Sequence, residues 1–204
     1  MSSACKSPTK KVGLEGTDLY CESSLQPVTI GAMNLKATLK LAHSILDLHN
    51  IDHALIGGLA LACYGSTRAT VDVDLLIHEE YKERIKDLFS ENGFNLVNET
   101  LEVLQFAGIG YVDVLLARRP ISQKMLFNAN TEGPEGIHYL KTEDLIGLKI
   151  QAYVNDPSRE LQDKADIQFL MEAVEDLDWE KIKSYADLFN QWEALNEIKS
   201  KIKP

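Results

Sequence analysis

The run Val71-Asp-Val-Asp-Leu-Leu-Ile77 constrains this chain more than any other feature. Side chains two apart on an extended strand point to the same face. Asp72 and Asp74 therefore project together, while Val71 and Val73 project to the other side. Adjacent carboxylates repel unless a cation sits between them, and burying them in an apolar strand is costly without a compensating ion. Read alone, the pair is more often a strand end with solvated acids. Hard divalent ions take oxygen ligands and often use one or two carboxylates together with phosphates. A third acid fits the first reading. Asp113 is the single carboxylate of Tyr111-Val-Asp-Val-Leu-Leu116, a second apolar strand candidate. Alone it is as well explained as an edge-strand acid. If that strand neighbours Val71–Ile77, the three acids form a cluster, and two ions ~3.5–4 Å apart could clamp the oxygens of an in-line phosphoryl displacement.

The surrounding pattern places these strands in a mixed α/β order. Leu35, Leu39, Ala42, Ile45, Leu46 and His49 recur at helical spacing after a potential N-cap at Asn34. His53–Ile56 is a short apolar strand, broken by Gly57-Gly58, and Leu59–Tyr64 reads as a short buried helix. Glu79–Asn92 is helical and is closed by Gly93. Phe94–Val97, Glu102–Phe106 and Tyr111–Leu116 are strand candidates, with Gly108 and Gly110 at the last turn. A short helix follows Pro120, then a loop over Asn128–Gly136 and a short strand near Ile137–Leu140. From Thr142 onward the pattern is all helix, punctuated by Pro157-Ser158. The expected fold class is α+β: a small mixed sheet flanked by helices, with a C-terminal helical segment. Residues 1–30 read as a loose N-terminal arm, 31–140 as the core and 141–204 as the helical region.

Composition narrows the function classes. A chain of 204 residues with 45% apolar and 25% charged residues can bury a real core without disulfides or a structural metal. Cys5, Cys21 and Cys63 are too far apart for a zinc pattern and odd in number, so they read as reduced thiols. No apolar run approaches the ~18–20 residues of a membrane span, and the first residues lack an apolar signal core. The reading is a cytoplasmic protein without a membrane partner. The net charge of −10 speaks against gripping nucleic acid through the overall field. Arg118, Arg119 and Lys124 read either as a solvated loop or as a small basic patch for an RNA end. Trp179 and Trp192, at helical positions, read as core anchors.

The order of motifs carries a family likeness. Gly57-Gly58, then a short helix, then Arg68-Ala-Thr-Val-Asp72-Val-Asp74 resembles the signature of the polymerase-β-like nucleotidyltransferase superfamily. More narrowly it resembles the AbiEii-type, toxin-like branch, which has Gly-Gly at the turn. A second stretch resembles the same branch: Glu143-Asp-Leu-Ile-Gly-Leu-Lys149-Ile-Gln-Ala152, followed by Arg159 and Lys164-Ala-Asp166. The likeness spans roughly Asn34 to Leu170, and Lys164 is followed by Ala165 where relatives carry an acid.

The resemblance implies a nucleotidyltransferase that moves a nucleoside monophosphate from an NTP to a hydroxyl acceptor. It implies that Gly57 and Gly58 hold the triphosphate through backbone amides. Asp72, Asp74 and Asp113 would bind magnesium, as two ions in the fuller form of the site, or manganese. Asp113 would also help activate the attacking hydroxyl. Lys149 would meet the nucleotide phosphates, Asp166 would support the site, and Arg68 would orient the carboxylates or meet phosphate. The acceptor is left open among an RNA end, a protein and a small molecule, and a cognate antitoxin is an implied partner. The rival reading is a weak or inactive binding module of the same fold. Other Asp-X-Asp classes fit less well. A haloacid-dehalogenase phosphatase needs a small hydroxyl residue where Leu76 stands, a glycosyltransferase needs a long preceding nucleotide-binding half, and an EF-hand loop needs more oxygen ligands.

Overall fold

A computed structural model describes residues 34–131 and 133–202, and the arm expected over 1–30 lies outside the described residues. Helix α1, Leu35–Leu48, starts where the Asn34 side chain accepts the Ala37 N–H at 3.0 Å. Such a cap is worth about 1 kcal/mol. Of the stripe read from the spacing, Leu39, Ala42, Ile45 and Leu46 are buried, joined by Thr38, while Leu35 is only partly covered and His49 caps the helix end.

Among the described residues, six strands form one mixed sheet: β1 (His53–Leu55), β2 (Asp72–His78), β3 (Asn95–Glu99), β4 (Val103–Ala107), β5 (Tyr111–Ala117) and β6 (His138–Tyr139). Their order across the sheet is β3-β4-β5-β2-β1-β6. The central pair, β2 and β5, runs parallel, β1 runs antiparallel to β2, and β4 antiparallel to β5. The remaining helices are α2 (Gly57–Cys63), α3 (Lys82–Glu91), α4 (Pro120–Phe127), α5 (Thr142–Asn155), α6 (Glu160–Ala173), α7 (Trp179–Leu188) and α8 (Trp192–Lys201). This is the expected α+β class.

The period-two alternation divides the sheet into two unlike faces. Val73, Leu75 and Ile77 of β2, Val112 and Val114 of β5, and Leu104 and Phe106 of β4 are fully buried on one of them. Phe89 of α3 packs on Phe94 and Phe106, with ring centroids 5.2 and 4.8 Å apart. Burial of each such side chain is worth about 1.5–3 kcal/mol, which anchors this face to its covering helices. The opposite face presents Asp72 and Asp74 from β2, Gln105 from β4 and Asp113 from β5. In the C-terminal part α5 packs on α6 and α7, and α8 packs on both of those. Trp179 and Trp192 are partly buried against this core, and the Lys199 ammonium lies 3.6 Å from the Trp179 ring centroid.

Local departures from the sequence reading have clear causes. The helix expected from Leu59 begins at Gly57, because the Ile56 carbonyl already accepts the Ala60 N–H. Val71 precedes β2 and is exposed, so the strand's apolar face begins at Val73. The helix expected from Glu79 opens with a tight 3-10 turn over Glu79–Tyr81, held by the Glu80 N–H donating to His78 Nδ1 at 3.3 Å.

Candidate functional site

Sheet register brings the three acids together. β2 and β5 pair in parallel with Asp74 directly opposite Asp113, and Asp72 is two residues earlier on the same face. One oxygen from each of the three carboxylates lies within 4.8 Å of the others. Two neighbours hold the outer acids in place. Thr70 Oγ1 donates to Asp72 Oδ1 at 2.7 Å, and the Gln105 amide donates to Asp113 Oδ2 at 2.8 Å. Among the described residues, no lysine, arginine or histidine forms an ion pair with any of the three.

The electrostatics follow from this crowding. Burial, then the charges of Asp72 and Asp113, push the Asp74 pKa up to about 7, against the opposing pull of the Gly58 N–H and Lys149. Burial also raises Asp113, and the Asp72 charge adds to the rise, while the Gln105 bond and Arg159 oppose it. Three carboxylates gathered within 4.8 Å form an oxygen-only donor set suited to a hard divalent cation. The residues present therefore fit the implied metal: donor chemistry, spacing and the missing protein cation all agree.

The Gly57-Gly58 turn presses on this cluster. Gly57 has a positive φ of 60°, and a Cβ there would lie 1.9 Å from Asp74 Oδ2. Gly58 has no room either, since a Cβ would meet Thr70 at 2.6 Å. The Ile56 N–H donates to the Asp74 carbonyl at 3.0 Å, which ties the turn to β2 at the residue that carries the central acid. Only a backbone without side chains reaches the carboxylates this closely.

A cleft of about 260 Å³ opens over the acids, between the sheet and α5. Asp74, Asp113 and Gly57 line one side; Leu148, Lys149 and Arg159 line the other. The sequence-predicted Lys149 therefore reaches the site, but its ammonium is already paired. It lies 2.8 Å from Asp163 Oδ1 and 2.7 Å from Asp166 Oδ2, the latter an ion-pair contact without hydrogen-bond alignment. Arg68 Nε pairs with Asp166 Oδ1 at 3.2 Å, and Arg159 Nε pairs with Asp163 Oδ2 at 3.2 Å. Arg68, Asp166, Lys149, Asp163 and Arg159 thus form one continuous chain of alternating charge from the segment before β2 to the start of α6. Arg68 and Asp166 meet there, one step removed from the carboxylate cluster.

Sequence reasoning left Gln105 and Thr70 without a role, and marked Asp163 only as the place to which the acid missing at Ala165 could be displaced. Gln105 carried a usable signal, as a polar residue between buried Leu104 and Phe106. The Arg118–Arg119 pair is bound locally. Arg118 pairs with Glu79 at 2.6 Å and Arg119 with Glu102 at 2.9 Å, so little net positive charge is left there.

No protein-family profile matches the chain, and no curated protein matches it in sequence. Solved structures do match its fold. The solution structure of the antibiotic-resistance factor ANT(2'')-Ia aligns with a TM-score of 0.59 at 16% identity, covering 80% of this chain and 96% of that one. A crystal structure of ANT(2'')-Ia in complex with adenylyl-2''-tobramycin aligns at 0.59 and 15% identity, covering 76% and 95%. The Megavirus polyadenylate synthase aligns at 0.53 and 12% identity, covering 76% of this chain and 34% of that one. The chain has the nucleotidyltransferase fold.

Proposed function

We propose that this protein is a metal-dependent nucleotidyltransferase that moves a nucleoside monophosphate from an NTP to a hydroxyl acceptor. The observation that carries the reading is the register of β2 on β5, which faces Asp74 with Asp113 beside Asp72, with no protein cation between them among the described residues. Asp72, Asp74 and Asp113 would hold the divalent ion, magnesium or manganese. Such an ion, when bound, screens the phosphates and stabilises charge on the reacting oxygens. Gln105 holds the Asp113 carboxylate in place, and Asp113 would help activate the attacking hydroxyl. Gly57 and Gly58 bring backbone to the phosphates where no side chain fits. Lys149, Arg68 and Asp166 form the charged wall that fixes α5 and α6 over the site.

The acceptor proposed is one that fits the cleft rather than a long RNA. Support comes from the net charge of −10 and from the pairing of Arg118 and Arg119 with acids. The likeness to ANT(2'')-Ia, crystallised with an adenylylated small molecule, points the same way. The AbiEii-type branch, with an antitoxin as partner, is proposed on the order of Gly57-Gly58, Arg68-Ala-Thr and Asp72-Val-Asp alone. Growth arrest on expressing the wild type but not Asp74→Asn would support that branch, and equal growth would count against it.

The test of the activity is a screen of α-labelled NTPs with magnesium against total RNA, total protein and hydroxylated small molecules, with Asp74→Asn as control. Label transferred by the wild type and absent with the variant is the expected result. Transfer that survives in Asp74→Asn would mean these acids do not carry the chemistry.

A further inference from the structure

We infer that Arg159, rather than Lys149, is the side chain that grips the β- and γ-phosphates of the nucleotide, with Lys149 acting as the clamp that positions it. This rests on the nucleotidyltransferase reading and adds to it the residue that selects a triphosphate. Transferring a nucleoside monophosphate expels pyrophosphate, so most of the substrate's negative charge sits on the leaving end. A divalent ion held by three carboxylates offsets only part of it, and a protein cation is needed on the cleft wall.

Among the described residues, Lys149 and Arg159 are the two cations that line the cleft. They are in opposite states. The Lys149 side chain is only 7% exposed, and its single ammonium is shared by Asp163 at 2.8 Å and Asp166 at 2.7 Å. Its ammonium is held between two buried carboxylates, and separating it from them to reach a phosphate is strongly unfavourable. Arg159 is 53% exposed and meets Asp163 through Nε alone, at 3.2 Å. Its two terminal nitrogens have no partner among the described residues. A guanidinium held at Nε with its outer N–H groups free is oriented for the paired hydrogen bonds that arginine makes to phosphate. It lines the same cleft as Asp74 and Asp113. Asp163 is the hinge of this arrangement. Its Oδ1 takes Lys149 and its Oδ2 takes Arg159, so the buried lysine fixes the carboxylate that aims the arginine. The short 3-10 turn over Pro157–Arg159 starts the segment, secured by Asp156 accepting the Ser158 N–H at 3.0 Å.

The experiment compares binding of an NTP and of the matching NMP, each with magnesium, by the full chain and by Arg159→Gln, Arg159→Lys and Asp74→Asn. Arg159→Gln should weaken NTP binding roughly ten- to hundredfold, the loss of a charge-assisted pair, and leave NMP binding within about twofold. Arg159→Lys, which keeps the charge and loses the fork, should fall between. Equal NTP affinity in Arg159→Gln and the wild type overturns the inference and leaves the parent reading intact, provided Asp74→Asn still abolishes metal-dependent binding. A parallel loss of NTP and NMP affinity also overturns it, because it assigns Arg159 a purely structural role. Absence of metal-dependent NTP binding by the wild type removes the parent reading and this inference with it.

Discussion

The burial of Asp74, and after it the crowding by Asp72 and Asp113, has a measurable thermodynamic consequence. Without metal, Asp74 titrates at about 7 in the folded protein, against 3.8 for an unperturbed aspartate. Below 3.8 both folded and unfolded chains hold the proton, and Asp74 makes no difference to stability. Between 3.8 and about 7 the unfolded chain has lost the proton and the folded one keeps it, so folding becomes less favourable as pH rises. Above 7 both states are ionised and the full penalty is present. At about 1.36 kcal/mol per pH unit, the interval corresponds to about 4 kcal/mol. This is an upper bound, because Asp74 keeps part of its surface in the cleft. For a chain of this size, half of that penalty lowers the melting temperature by roughly 4–8 °C. His53 acts with the opposite sign. Burial holds its pKa below 6.5, so folding weakens as pH falls through that region. The two effects separate when the wild type is compared with Asp74→Asn, which keeps His53. Melts in a chelator at pH 5, 6, 7 and 8 should show the wild type losing stability relative to the variant as pH rises. Magnesium should restore the wild type at pH 8, by about 2.7 kcal/mol at a hundredfold excess over its dissociation constant, and leave the variant unmoved. Parallel curves for the two proteins, with no response to magnesium, would refute the electrostatic account of the cluster.

Other substitutions probe the supports. Gly57→Ala puts a Cβ against Asp74 Oδ2 at a positive φ, and urea titration should show a loss of about 1–3 kcal/mol together with weaker metal binding. Lys149→Met leaves Asp163 and Asp166 buried against fewer cations and should cost about 3–5 kcal/mol in the same assay, part of it recovered by adding Asp163→Asn. Gln105→Leu removes the bond that holds the Asp113 pKa down, so the pH midpoint of Mn2+ binding, read by isothermal titration, should move upward.

How much of this was legible in the sequence depends on the range of each interaction. Asp72 and Asp74 share a face because of a local period of two, which any strand enforces. The α1 cap and stripe are local in the same sense. Asp113 required one non-local assumption, that its strand lies next to β2, and the parallel pairing supplies it. Gln105 required two: the β4–β5 pairing and its register against Asp113. The state of Lys149 was hidden for a different reason. Its spacing on α5 shows only that it shares a side with buried residues, and the acids that hold it come from α6, 14 residues later at the nearest. A lysine on a half-buried helix reads the same whether it is free to meet a phosphate or locked between two aspartates.

The central claim is that Asp72, Asp74 and Asp113 together hold a divalent cation. Crystals soaked in manganese test it most directly through anomalous scattering. The account predicts an anomalous peak within coordination distance of all three carboxylates, lost in crystals of Asp74→Asn. Manganese absent from that position while bound elsewhere, or undiminished in the variant, would contradict it.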